Sequence, residues 1–441
     1  MLSVSTPGPF ESSDDDEPWS NMPLDLGAIF RAVGGLTGQG PNWDSARQMA
    51  AAIATEGASE PNIDPMVRLT IEQLARVAEL HVATLTGLTP SHAGGLKVTA
   101  VNRTSWTDRT VHDYRPLFEK LSDSLGRLMR TQLDEMEGDD ISALSEMLPP
   151  DSGIDAAALM AGMSNFIGPM MLIMMTGSTV GQLGTRAFGS YDLPIPRPDT
   201  GEILIVANTL DTFGADWSLP ADDLRLWVCI HEVAHHAVMS LPHVRARLSD
   251  LLCAHAQAFE ADAGALEARL GDFDLTDPES MSKLQETFGN PEVMLGAIRS
   301  DEQREILPYI DAIVVTIEGY VDWVLDTIGG PLLSDYPMVT EALRRRRVET
   351  DQASRFVERL FGLELTQDKL DRGAAFVQGI IQRAGVEALS RLWDDDDHLP
   401  RPSEIEAPGL WLARVGADVG EGPLPELAED TEIPDFPDLD Q

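Results

Sequence analysis

The chain is expected to adopt a mainly α fold with a small β-sheet (α+β), organised around one helix that carries His231-Glu232-Val233-Ala234-His235. Three observations lead there. Apolar residues recur at helical spacing through most of the sequence. The clearest strand signal is a short one, Glu202 to Ala207 (EILIVA), bounded by Gly201 and Asn208. The segment Leu224 to Met239 (LRLWVCIHEVAHHAVM) combines the helical period with an HExxH motif. On a helix that spacing sets two imidazoles one turn apart on one face, so both reach one metal ion, with the Glu beside the first placed to act on water. This is the ligand geometry of a zinc hydrolase, and Zn2+ is the implied cofactor. Ser218 is placed to cap the helix, Pro220 suits its first turn, and Asp222 and Asp223 favour its positive end.

The 441 residues, 43% of them hydrophobic, suffice for one large or two intimately packed domains. A net charge of −41 argues against nucleic acid or an anionic membrane surface as a partner, because either would repel the protein at long range. No Lys or Arg precedes Arg31 and none follows Arg414, so the acidic ends, residues 1–25 and 416–441, read as disordered solvated tails. Between them, residues 26–200 form an N-terminal helical region and 201–415 the region bearing the HExxH helix. Two cysteines, Cys229 and Cys253, are too few for a disulfide framework and sit in apolar helical contexts. The start, MLSVSTPGPFESSDDDE, has neither a basic nor an apolar leader region, which points to a cytoplasmic protein.

Taken in order, SARQMAAAIATEG follows Pro41-Asn42-Trp43-Asp44, a second helix covers Met66 to Thr86, and a third begins near Thr107. Ala156 to Thr185 lacks charged residues, but Asn165, Gln182 and a central Pro169 make it a buried helix pair rather than a membrane span, with Gly177 and Gly181 allowing close approach. The strand Glu202 to Ala207 is either a core strand or one that pairs with an extended substrate. Beyond the motif, Leu248 to Leu270 and Ile306 to Ile328 read as helices, the latter ended by Gly329-Gly330-Pro331. Arg344 to Arg347 is expected to form internal ion pairs, and Asp394 to Asp397 with His398 an acidic loop.

A catalytic zinc takes a third protein ligand, and two carboxylates compete for the place. Glu318 interrupts the apolar run VVTIEGYVDWVL, where an unpaired carboxylate would be costly. Asp322, one turn later, is placed to accept the far N–H of a ligand His. Glu260 lies on a more polar helix, where a solvated carboxylate needs no partner. Tyr320 and His255 are candidates for stabilising an oxyanion. His236, about 100° round the helix from His235, cannot share its metal position and is expected to be structural.

HEVAHH after LRLW, the EGYVD box, LRRRR followed by FVERLFGLEL, and the upstream YDLPIP and NWDSAR together resemble the actinobacterial zincin-like metallopeptidases. That family was first catalogued as a domain of unknown function, and some members are described as associated with deazaflavin coenzyme biosynthesis. The resemblance runs roughly from Leu26 to Val415. It implies a gluzincin-like site in which His231, His235 and Glu318 bind Zn2+, Glu232 is the base and Asp322 supports a ligand. The first expectation is a zinc-dependent metallohydrolase, a peptidase acting on a peptide or protein substrate. The competing expectation is a binding or scaffold protein that keeps a structural zinc without turnover.

Overall fold

The computed structural model describes residues 42–89, 95–135, 156–258, 300–348 and 352–417. Both acidic tails, apart from 416–417, and Glu260 lie outside the described residues, as does the second half of the helix expected over Leu248 to Leu270.

Helices dominate. The first is α1, Trp43–Ala54, whose Asn42 side chain accepts the Asp44 N–H at 3.2 Å. Next comes α2, Pro65–Thr86, capped by Asp64 and closed by the left-handed Gly87. Strand β1, Lys97–Val101, leads into α3, Arg103–Asp113, and α4, Arg115–Glu135. The uncharged segment forms one continuous helix, α5, Ala156–Arg186, not the expected pair. Its Gly177 and Gly181 meet Met49 and Ile53 of α1, leaving no room for a Cβ, so the close approach read from these glycines is present. No described helix is long and apolar enough to cross a membrane.

Strand β2, Glu202–Val206, runs parallel to β1 with Lys97 opposite Glu202 and Val101 opposite Val206. Its other edge is also taken. Gly189 bridges Ile205, the Val206 N–H donates to the Phe188 carbonyl at 2.8 Å, and the Leu204 N–H donates to Ser190 Oγ at 2.9 Å. β2 is therefore a core strand with both edges filled, and the substrate-pairing alternative for it is removed. Helix α6, Ala207–Asp216, follows β2 and separates it from the motif helix.

The motif helix is α7, Ala221–Met239. Pro220 precedes its first turn, but Ser218 does not cap it: Ser218 has φ +55° and belongs to the preceding turn, closed by Leu219 N–H to the Gly214 carbonyl at 2.8 Å. Almost the whole length of α7 is buried, which its apolar residues on every side permit. After α8, Pro242–Gln257, and the undescribed stretch, the long α9 spans Asp301–Leu332 and starts at a capping box of Ser300 and Gln303.

Gly329-Gly330-Pro331 lies inside α9 rather than ending it. Gly329 packs on the Tyr336 ring and the Leu333 N–H still reaches the Gly329 carbonyl at 2.9 Å, so tertiary contact holds the last turn. Three helices follow: α10, Tyr336–Val348; α11, Gln352–Phe361; and α12, Gln367–Ala384. α9 and α12 cross backbone to backbone at Gly319 and Gly373, where a Cβ on either would overlap the main chain of the other helix. That crossing fixes α9 immediately beside Glu318. The C-terminal part adds a 3-10 segment, Val386–Trp393, and two short helices, α13, Pro402–Ile405, and α14, Pro408–Arg414.

Candidate metal centre

His231, Glu232 and His235 project from α7, and Glu318 comes to them from α9. The pairing is direct: His235 Nε2 stands 3.3 Å from Glu318 Oε1, with both side chains almost fully buried. His235 Nδ1 lies 3.1 Å from the His231 carbonyl. A carbonyl only accepts, so Nδ1 carries a proton, and Nε2 either shares a second proton with the carboxylate or, in the neutral ring, turns its lone pair toward it. Two acceptors facing each other at that distance require a cation between them, a proton or a metal. For ligands at roughly 2.0–2.2 Å in tetrahedral array the donor–donor edge is about 3.4 Å, which the pair matches.

The His231 ring is tilted beside that of His235, centroids 4.3 Å apart, and its other face stacks on Trp227 at 5.4 Å. Trp227 is itself tied by its indole N–H to Thr340 Oγ1 at 3.1 Å. As the side chains stand, no three His, Cys, Asp or Glu among the described residues form a ready-made metal cluster. His235 and Glu318 have ligand spacing, while the His231 ring sets its Nδ1 3.4 Å from Glu232 Oε1.

Electrostatics follow from burial and from these contacts. Burial opposes charge on Glu318, but His235, then Arg347 and His231, outweigh it and hold the carboxyl down at about 2. Burial likewise opposes charge on His235, and Glu318 overcomes it, so this imidazole is raised. His231 is lowered well below the usual range by burial, reinforced by His235 and Arg347. It is thus neutral, the form a ligand needs.

Glu232 is 1% exposed and faces away from bulk solvent into the 188–192 segment. Its carboxylate accepts the Ser190 N–H at 2.7 Å and the Tyr191 N–H at 3.0 Å, while Oε1 lies 3.4 Å from His231 Nδ1. Burial pushes its carboxyl up to about 8, with Asp192 adding to the shift and His235 and the two amides opposing it. Gly189 is required beneath it, because a Cβ there would overlap the carboxyl group.

Asp322 has a different partner from the one expected. It does not take the far N–H of a ligand His. It binds both Nη atoms of Arg347 at 3.2 Å, and Arg347 in turn reaches Glu318 Oε2 at 3.6 Å. Asp322 therefore acts on the candidate ligand Glu318 through a guanidinium, one step removed. The physical reason lies in α10, whose Arg344, Arg345, Arg346 and Arg347 pair with Asp326, Glu341, Asp192 and Asp322, respectively, and so form the internal ion pairs read from the sequence.

Of the two oxyanion candidates, Tyr320 is turned away. It follows Glu318 by two residues, about 200° round the helix, and its ring packs between Trp323 and Trp393. His255 is enclosed on α8, with its Nε2 against Gly362. The aromatic residue at the centre is Tyr191, present in the sequence only as the first residue of the YDLPIP segment. Its ring lies parallel to His235, centroids 6.0 Å apart, and its hydroxyl is 3.0 Å from His236 Nδ1. His236 is itself buried. The Asp394–Asp397 stretch is a surface turn in which Asp395 Oδ1 pairs with His398 Nδ1 at 2.7 Å.

The zincin-like metallopeptidase family matches residues 42–412. The chain belongs to that family. The match runs across both the N-terminal helical region and the motif region, consistent with a site that draws Ser190 and Tyr191 from one and α7 and α9 from the other. A crystal structure from Chloroflexus aurantiacus, described as a candidate hydrolase with a novel fold, superposes with a TM-score of 0.54 at 20% identity, covering 85% of this chain and 99% of that one. At that identity the likeness concerns the fold. No protein with a curated description matches the chain.

Proposed function

We propose that this zincin-like metallopeptidase is a zinc-dependent hydrolase of peptide bonds, with His231, His235 and Glu318 as the ligands and Glu232 as the general base. The supporting observation is the pair of facing acceptors, His235 Nε2 and Glu318 Oε1 at 3.3 Å, in a buried site on an HExxH helix. Zinc held there would acidify water toward neutral pH and polarise a scissile carbonyl. The chain's own groups do the rest. Glu232 in its ionised form takes a proton from water and passes it to the leaving nitrogen; with the carboxyl pushed up to about 8, that form is favoured by the positive charge of a bound cation. Trp227 and Tyr191 flank the imidazoles and orient them, and Arg347, anchored by Asp322, orients Glu318. Free Cys229 and Cys253 favour a reducing cytoplasmic setting. The net charge of −41 disfavours nucleic acid, so the partner we propose is a peptide or protein. The narrower link to actinobacterial members connected with deazaflavin coenzyme biosynthesis belongs to the same proposal and rests on the EGYVD, LRRRR and YDLPIP segments.

One observation favours the second reading, a structural zinc without turnover: Glu232 is sealed behind Ser190 and Tyr191, so turnover requires the 188–192 segment to move. The two readings separate experimentally. Metal analysis of the wild type, His231→Ala and His235→Ala should give about one zinc per chain in the first and little in the others. A peptide library should then be cleaved by the wild type and, at a rate lower by about 10²–10⁴, by Glu232→Gln, which keeps the zinc. Zinc-dependent stability with no cleavage supports the structural reading. Negligible zinc in all three proteins defeats both.

A further inference from the structure

The structure carries a second candidate binding site on the far edge of the sheet from Glu232. β2 has both edges filled, whereas β1 is paired on one side alone among the described residues. The Lys97 N–H donates to the Gly201 carbonyl at 2.9 Å, and in a parallel ladder alternate residues bond to the same neighbour. Lys97, Thr99 and Val101 therefore serve β2, and the main-chain groups of Val98 and Ala100 point the other way. They face a groove of about 700 Å³ between β1 and α2; Ala100 is buried at its floor, so the half-buried Val98 on its wall offers the accessible main-chain groups. That is within the size range of ligand clefts.

The charge of this groove inverts that of the molecule. The whole chain has 73 acidic residues against 32 basic. The groove is lined by Arg68, Arg76, Lys97 and Arg109 against Glu72 and Glu79. Lys97 and Arg109 are both held by Glu202. Arg68 and Arg76 are different. They stand two turns apart on the same face of α2, are exposed, and neither reaches a carboxylate among the described residues, Arg76 Nε instead donating to the Glu72 carbonyl at 3.2 Å.

We propose that this groove binds an extended acidic peptide segment, which takes main-chain hydrogen bonds from the free edge of β1 and sets its carboxylates against Arg68 and Arg76. The edge supplies affinity for any extended backbone, as in strand addition generally, and the two guanidinium groups select for acidic side chains. Glu72 and Glu79, interleaved with the arginines, confine the favourable positions to those opposite Arg68 and Arg76. The site does not depend on the metal centre.

The test is fluorescence anisotropy of the full chain with a labelled short peptide of alternating Val and Glu. The controls are the Val/Lys counterpart and a Val/Glu peptide N-methylated at alternate positions, so that it cannot complete a ladder. The first peptide should bind, more weakly as salt rises, and both controls should bind at least about tenfold more weakly. The double substitution Arg68→Glu and Arg76→Glu should remove binding while leaving the melting temperature and metal content unchanged, since both side chains are exposed. The proposal is overturned if the Val/Glu peptide does not bind, if the Val/Lys peptide binds as well, or if the folded charge-reversed variant binds undiminished. Loss of metal or of hydrolysis in variants of the metal centre leaves this binding untouched, so failure of the one reading is distinguishable from failure of the other.

Discussion

Glu318 Oε1 and His235 Nε2 face each other at 3.3 Å although 83 positions separate them in the chain, and the other nitrogen of the ring is committed to the His231 carbonyl. The contact joins α7 to α9 at a point where neither partner has a proton to offer if the ring is neutral. Glu318→Ala is therefore expected to abolish tight zinc binding. Glu318→Gln, whose amide can donate to Nε2, should fold with the metal affinity reduced by about tenfold or more. Glu260→Ala, outside the described residues, should leave zinc binding largely intact. Titration against a chelating indicator ranks the three. Tight binding retained by Glu318→Ala, or lost by Glu260→Ala, reverses the assignment.

The Glu232 carboxylate and Gly189 occupy adjoining space. A methyl group added at Gly189 overlaps the carboxyl, so the 188–192 segment must shift or Glu232 must leave the Ser190 and Tyr191 amides. Gly189→Ala should lower stability by about 1–3 kcal/mol, the usual cost of overpacking a filled interior. Thermal unfolding measures it. An unchanged melting temperature would mean that the segment moves freely, which would also weaken the case for a sealed base.

The motif helix, the approach of Glu318 to it and the arginine pairs were legible because each breaks a local expectation: two His one turn apart, a Glu in VVTIEGYVDWVL, four consecutive Arg in an acidic chain. What sequence could not supply was direction and distant pairing. Asp322 shares an apolar helix with Glu318, yet its partner sits on α10, which no local pattern ties to α9. Tyr191 looked like a connector because YDLPIP is rich in turn formers, and its stacking on His235 depends on how β2 grips Phe188 and Gly189. β1 went unread because KVTAV is short and its apolar alternation is brief. Gly329-Gly330-Pro331 misled for the opposite reason, a strong local stop signal overridden by Tyr336.

Glu358 gives a pH prediction away from the metal. It is 8% exposed, and burial pushes its carboxyl up to about 7 against the pull of Arg186. Between the ordinary carboxyl range and that value the folded chain keeps a proton that the unfolded chain has released, so the unfolded state binds fewer protons and stability falls as pH rises through the window. The decline should level off above neutrality. Glu358→Gln should flatten this part of the profile and gain stability relative to the wild type at the alkaline end, by at most about 3 kcal/mol. Urea unfolding at several pH values reads it, and a wild-type profile that rises over the same window contradicts the burial argument.

Arg347 is the hinge of the last prediction. Its side chain is 12% exposed, forks onto both oxygens of Asp322 and touches Glu318 from the side opposite His235. A buried guanidinium that loses one partner leaves an uncompensated charge, so removing Asp322 costs more than the contact itself. Asp322→Ala is expected to weaken zinc binding without abolishing it, because Glu318 stays in place but loses the group that aims it. Arg347→Lys should do the same, since an ammonium cannot make the fork. If the route runs through Arg347, the double variant Asp322→Ala with Arg347→Met should lose less zinc affinity than the sum of the single losses, the signature of two residues acting in series. Additive losses would place Asp322 on the metal site by a separate path, such as the histidine contact first expected from its spacing.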